Sequence, residues 1–173
     1  MQAYASLVNL YKDGAVMLAY NILLNREDAE EAAQDAFVRV YTSLHTFKGS
    51  ARFSTWLYRI VLNTALNKKK IKKRPTAPLA EVHDSELPAP NGSMPASQIT
   101  AEQRRWIGQA MRVLPDKERL CITLYYLQEL SVEEIHELTG IGRSNIKVLL
   151  HRGRKNLYEA FHICLKEETT HLI

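Results

Sequence analysis

The strongest constraint on how this chain folds is an interruption near its middle. Residues 75–100 carry five of the six prolines, Pro75, Pro78, Pro88, Pro90 and Pro95, around the turn-forming run Asn91, Gly92 and Ser93. Proline fixes φ and removes a backbone donor, so no regular helix or central strand crosses such a stretch. The segment also has no Lys or Arg and three acids, Glu81, Asp84 and Glu86. It reads as an acidic linker over residues 75–99, with residues 1–74 and 100–173 as separate domains. Each must bury its own core, and the composition permits it: 46% of the 173 residues are hydrophobic and 24% charged, close to the globular average. Collagen-like, wholly disordered and disulfide-scaffold architectures are excluded on the same grounds.

Helical periodicity dominates both halves, and alternating strand-like runs are lacking, so the expected fold class is all-α, two small helical domains. In the first half, a helix over about residues 4–24 spaces Leu7, Leu10, Tyr11, Met17, Leu18 and Ile22 and ends near Asn25. A second opens with Glu27 and Asp28, suited to a helix N-terminus, and turns Ala33, Ala36, Phe37, Val40 and Leu44 inward until Gly49 breaks it. A third, from about Arg52, buries Phe53, Trp56, Leu57, Ile60 and Thr64. Its other stripe is Arg59, Asn63, Asn67 and Lys70.

In the second half, Thr100 to Gln103 reads as a capping box opening a helix toward Leu114, and Pro115 resets the chain. A helix from Asp116 to about Gln128 follows. Ser131 to Glu134 then caps a short helix through Leu138, and a turn at Thr139 to Gly142 leads into a longer one. This is the order of a helix-turn-helix. Val132, Ile135, Leu138, Ile146, Leu150 and Leu157 face inward, with Gly153 allowing close approach. Ser144, Lys147, Val148, His151 and Arg154 face outward, where such a motif presents side chains to a major groove. A helical hairpin with a solvated basic face is the plainer account of this half taken alone.

Charge placement adds to the argument. Residues 1–74 hold 12 Lys and Arg against 6 Asp and Glu, and half of the basic set lies in Lys68 to Arg74. Residues 101–173 hold 11 basic and 10 acidic groups, with Arg143, Lys147, Arg152, Arg154 and Lys155 in one short segment. Two cationic helices tethered by a linker of ~80 Å maximum reach, at ~3.3 Å per residue, suit one polyanion read at two places.

Other chemistries find little support. His162, Cys164 and His171 near the C-terminus lack the paired spacing of a zinc site, and Cys121, between Leu120 and Ile122, fits a small buried hydrophobe. No catalytic pairing and no phosphate-cradling glycine motif occurs, so neither an enzyme nor a cofactor is expected. No apolar run approaches the ~18 residues of a membrane span, and the N-terminal stretch lacks a signal peptide's charged start. With only two cysteines, a cytoplasmic, reduced protein without membrane insertion is expected.

Several segments carry a family resemblance. Phe47-Lys-Gly-Ser-Ala-Arg-Phe-Ser-Thr-Trp-Leu-Tyr-Arg-Ile-Val-Leu-Asn-Thr-Ala65, followed by the lysines, resembles the promoter-melting segment of the extracytoplasmic function sigma factors of bacterial RNA polymerase. Asp28-Ala-Glu-Glu-Ala-Ala-Gln-Asp-Ala-Phe37 is similar to that family's polymerase-binding helix. Leu114-Pro-Asp-Lys-Glu-Arg119, Leu130-Ser-Val-Glu-Glu-Ile135 and His151-Arg-Gly-Arg-Lys155 resemble its C-terminal DNA-binding domain.

The resemblance implies a non-catalytic initiation factor that binds the polymerase core, through the coiled coil of the largest subunit and the flap, and directs it to a two-element promoter. Glu31, Gln34, Asp35 and Val38 would meet the polymerase. Phe47, Lys48, Gly49, Ser50 and Arg52 would form the loop that captures the minus-ten element, single-stranded once opened. Asn63 would read a flipped base, with Arg59, Asn67, Lys68 and Lys70 beside it. Arg143, Ser144, Lys147, Val148, His151, Arg152, Arg154 and Lys155 would engage the duplex minus-thirty-five element. Val148 and Leu149 depart from the small polar residue and arginine of many relatives. The resemblance also implies an anti-sigma partner. The competing reading is a stand-alone helix-turn-helix regulator whose N-terminal half senses a ligand or dimerises.

Overall fold

The computed structural model describes residues 2–72 and 101–171, without the side chains of residues 2, 101, 102, 104 and 164–171. The linker 75–99, Lys73 and Arg74, the cap residue Thr100, and the side chains of Cys164 and His171 therefore lie outside the described residues. Among those described there are only helices, turns and connecting loops, with no strand, in two compact units.

The N-terminal unit packs three helices pairwise: α1 (Gln2–Leu23), α2 (Arg26–Ser43) and α3 (Phe53–Lys72). The α1–α2 corner is tight because α1 ends in the left-handed region at Leu24, with φ +56°. Asn25, placed by its sequence position at the end of α1, instead caps α2: its side chain accepts a hydrogen bond from the Asp28 N–H at 2.9 Å. Ala29, Ala32, Ala33 and Ala36 are buried along α2 and let its backbone approach α1 and α3, while Leu18, Tyr20, Leu57, Val61 and Leu62 fill the space between.

Two expected core positions are not core. Leu10 is 73% exposed, because eight residues from Leu18 at 100° per residue leave it about 80° away on the helix wheel. Leu44 is also exposed, since α2 ends at Ser43 and the chain tightens into a 3-10 turn, Leu44–Thr46, that rotates it outward. On α3, Phe53, Trp56 and Ile60 are only half-buried. The buried face is instead Thr55, Leu57, Tyr58, Val61, Leu62, Thr64 and Ala65, wider than one stripe because α1 and α2 both pack on it.

In the C-terminal unit α4 (Ala101–Val113), α5 (Asp116–Ile122) and α6 (Val132–Thr139) each pack against α7 (Arg143–His171). The helix expected to reach Gln128 ends at Ile122 and continues as a π turn, Thr123–Leu127, closed by the Gln128 N–H on the Thr123 carbonyl at 3.1 Å. The capping box at Ser131 and Glu134 forms in both directions. Gly140 stops α6 with φ +73°, a conformation that favours glycine. Ile135, Leu138, Ile146 and Leu150 are buried as their spacing requires, whereas Val132 and Leu157 are half-buried at the edge. Gly153 is at a true close approach: a Cβ there would lie 2.8 Å from Ile122 Cγ1.

One core residue has no counterpart in the apolar pattern. Arg119 is 2% exposed. Its guanidinium donates to the Leu114 carbonyl at 2.8 Å and pairs with Asp116, so it clamps the α4–α5 corner around Pro115. A buried cation is tolerated here because its donors are satisfied by the carbonyls that end α4.

Candidate nucleic-acid interface

The loop before α3 is held by aromatic packing. The Phe47 ring meets Phe53 edge-on, with centroids 5.4 Å apart, and lies 5.4 Å from Trp56; Phe53 also contacts Tyr11 at 5.6 Å. Phe47 is therefore an anchor of the loop, half-buried, and not a free platform. Beyond it Lys48, Gly49, Ser50 and Arg52 are exposed, and Gly49 adopts φ +71° to turn the chain. Between loop and helix lies a cleft of about 150 Å³ lined by Thr46, Phe47, Lys48, Ser50, Ala51, Thr55, Trp56 and Arg59. Thr46, Ala51, Thr55 and Trp56 were not among the expected site residues. Their apolar or small character reads as core in sequence, and only the loop's path makes them walls.

Along α3, Arg59, Asn63, Asn67 and Lys70 are all exposed on the expected stripe. Lys68 differs. It is 18% exposed, its ammonium 2.6 Å from Glu31 and 3.5 Å from Asp28, and Lys72 also pairs with Asp28. Two of the basic run thus tie α3 to α2, and one residue expected to meet DNA pairs with one expected to meet polymerase.

On α2, Glu31, Gln34, Asp35 and Val38 are exposed together, spaced by three or four residues on one face. Tyr41, three residues beyond Val38, is exposed as well and rests edge-on against Tyr4 at 5.0 Å. The face is acidic at one end and apolar at the other. Tyr41 was missed because its helical position is ambiguous between core and surface.

In the second unit, Arg143, Ser144, Lys147, Val148, His151, Arg152, Arg154 and Lys155 are all exposed on α7. Leu149, grouped in sequence with Val148 as a departure at the DNA face, is instead buried. The turn leading to this surface is tied by two hydrogen-bond contacts: the Ile141 carbonyl lies 2.8 Å from His136 Nδ1, and the Ile141 N–H donates to Thr139 Oγ1 at 3.2 Å. Arg143 is 3.6 Å from Glu133, Lys155 is 3.8 Å from Glu159, and Arg154 donates to the Tyr126 hydroxyl at 3.2 Å. The two exposed ion pairs hold Arg143 and Lys155 only weakly.

Burial raises the pKa of the Tyr4 phenol, which packs on Tyr41 beside the α2 face; the other displaced groups lie away from these surfaces. Burial pushes the Cys121 thiol up to about 11, reinforced by Glu118, and Tyr58 up to about 12. Among the described residues no group of three or more His, Cys, Asp or Glu is gathered as a metal requires, and no helix is long and apolar enough to cross a membrane.

Comparison with known proteins decides between the two readings. Residues 7–74 match Sigma-70 region 2, and residues 104–157 match Sigma-70, region 4. The chain belongs to the extracytoplasmic function sigma factors. It is 38% identical over 167 residues to the ECF RNA polymerase sigma factor SigW of Bacillus subtilis, covering 90% of this chain and 87% of that one. The RNA polymerase sigma-H factor of Pseudomonas aeruginosa is 28% identical, with 96% and 90% covered. Among solved structures, the sigma factor RpoE of Bartonella quintana, crystallised with the anti-sigma factor NepR, aligns with a TM-score of 0.73 at 17% identity over 94% of this chain and 99% of that one. CnrH, in complex with the cytosolic domain of CnrY, aligns at 0.62 and 18% identity over 94% and 89%; both similarities concern the fold. This sigma factor directs transcription initiation as an alternative sigma factor. A stand-alone regulator is not favoured, because the N-terminal half matches region 2.

Proposed function

We propose that this sigma factor docks on the RNA polymerase core through α2, opens and captures the minus-ten element with the loop and exposed stripe of α3, and reads the duplex minus-thirty-five element with α7. The single observation that carries the reading is the juxtaposition at α3: a cleft walled by Trp56, Ser50 and Arg59, beside an exposed amide and cation stripe. Single-stranded bases are held by stacking, amide hydrogen bonds and cations on the backbone, and these are the groups assembled here. Asn63 reads a base displaced from the stack; Arg59, Asn67 and Lys70 follow the strand, with Lys48 and Arg52 at the loop. Phe47 and Gly49 shape that loop. Lys68 meets the strand only after leaving Glu31.

Glu31, Gln34, Asp35 and Val38, extended by Tyr41, form the polymerase-docking face, with Lys147 and His151 facing the major groove and Arg143, Arg152, Arg154 and Lys155 the flanking phosphates. Ser144 and Val148 contact base edges. The factor works in the cytoplasm, where core polymerase and promoter DNA are found, with residues 75–99 linking its domains and without catalysis or cofactor of its own. An anti-sigma factor covers the docking and DNA-binding faces, a role supported by the similar sigma factor RpoE, solved in complex with the anti-sigma factor NepR.

The test is transcription by purified bacterial core polymerase with this protein on a library of promoter fragments from the source genome. Transcripts that depend on the protein, with shared elements upstream, are expected. Silence of the core together with failure to bind it would overturn the proposal.

A further inference from the structure

The π turn after α5 sets two consecutive tyrosines, Tyr125 and Tyr126, at the surface of the C-terminal unit. Their rings meet edge-on with centroids 4.9 Å apart, and Tyr125 and Tyr126 are 38% and 45% exposed. A π turn is rare and occurs frequently at functional sites. Here it aims Tyr126 at the recognition helix. The Arg154 guanidinium donates one N–H to the Tyr126 oxygen at 3.2 Å across 28 residues of sequence. Arg154 lies three residues beyond His151 and seven beyond Lys147 on the same outward face of α7.

A phenol that accepts a hydrogen bond still has its own proton to donate, and a guanidinium has five donors of which this contact uses one. The pair therefore presents an O–H and several N–H groups side by side, with the flexible arginine braced by a ring that Tyr125 in turn supports. Acceptor oxygens clustered on one tetrahedral centre match that arrangement, and on duplex DNA these are the backbone phosphates. We infer that Tyr126 and Arg154 form a two-residue clamp for one phosphate beside the major groove, with Tyr126 contributing a hydrogen bond and holding Arg154 in its binding geometry. The inference rests on the proposed role of α7 at the upstream promoter element. Since a phosphate contact carries no base information, the clamp sets affinity and register and leaves sequence preference to the groove-facing residues.

The test uses the whole 173-residue chain assembled with RNA polymerase core. The probe is a duplex carrying the upstream element, enriched from a random-sequence library by the wild-type holoenzyme. Tyr126→Phe removes only the hydroxyl and keeps the ring on Tyr125. It is expected to weaken binding about threefold to tenfold, with the enriched sequence unchanged and the slope of log affinity against log salt unchanged, because a neutral donor displaces no counterion. Arg154→Ala is expected to weaken binding at least as much and to lower that slope by about one. In the double variant only the loss of the tyrosine's own hydrogen bond should remain, so the combined loss is expected to be clearly smaller than the product of the two single losses. Unchanged or tighter binding by Tyr126→Phe, or losses that simply multiply in the double variant, would overturn the clamp. If the wild-type holoenzyme enriches no duplex at all, the initiation reading fails and this inference with it.

Discussion

Replacing Gly153 by Ala puts the contact between α5 and α7 to a direct test. The new Cβ would lie 2.8 Å from Ile122 Cγ1, 3.3 Å from its Cδ1 and 3.5 Å from Glu118 Cβ. Carbon pairs settle at about 3.5–4.0 Å, so the first contact is too short by about 0.7 Å or more. Both partners sit in buried helical positions, and relief requires α7 to retreat or Ile122 to leave its rotamer. Overpacking of this kind costs about 1–3 kcal/mol, against about 1 kcal/mol returned because Ala is the better helix residue. The net expectation is a destabilisation of about 0–2 kcal/mol.

The decisive comparison is the same change in an Ile122→Ala background. Alone, Ile122→Ala leaves a cavity costing about 2–5 kcal/mol. With Cγ1 and Cδ1 gone, the methyl introduced by Gly153→Ala has space and partly fills it, so that change becomes stabilising by about 1 kcal/mol. The four proteins would be compared by urea unfolding with the fluorescence of Trp106, which lies on α4, after replacing Trp56 by Phe so that the first unit is silent. An effect of the same sign and size in both backgrounds would refute the close approach as the reason for glycine.

Asn63→Ala should spare core binding and duplex binding and impair promoter opening, measured by permanganate reactivity of unpaired thymines; full opening would remove the base-reading role. Gln34→Ala combined with Asp35→Lys should lower affinity for core polymerase about tenfold, the scale of a lost charged contact at an interface, and unchanged affinity takes that face out of the interface. Cys121 should resist thiol reagents at pH 8 until the chain unfolds. Its folded pKa, about 11, lies above the ordinary thiol value of 9.0. The stability it contributes is therefore complete below pH 9 and is lost as pH rises from 9 through 11. A Cys121→Ala variant should lack that part of the alkaline loss in thermal unfolding, and an identical pH profile refutes the assignment.

The helical halves, the capping box at Ser131 and the cationic stripes were all legible in the sequence, since each is local: periodicity, caps and charge act within a few residues. The outward residues of α7 follow from the same rule, because one face of a 3.6-residue helix is known once its apolar positions are. The resemblance of residues 47–65 to a promoter-melting segment likewise needed no coordinates.

What only the tertiary structure decided lies where a second element sets the outcome. Leu149 reads as surface beside Val148 until α7 is packed, when it becomes buried. Lys68 belongs to a basic run in sequence, yet Glu31 and Asp28, nearly forty residues earlier, hold it against α2. Phe47 becomes an anchor and Trp56 a cleft wall through rings brought together by the loop's return. Arg119 is a buried clamp because the carbonyls at the end of α4 meet it around Pro115. Tyr126 reaches Arg154 through a π turn that no propensity specifies. The physical reason is common to all five: periodicity determines which way a side chain leaves its own helix, and packing determines what it meets there.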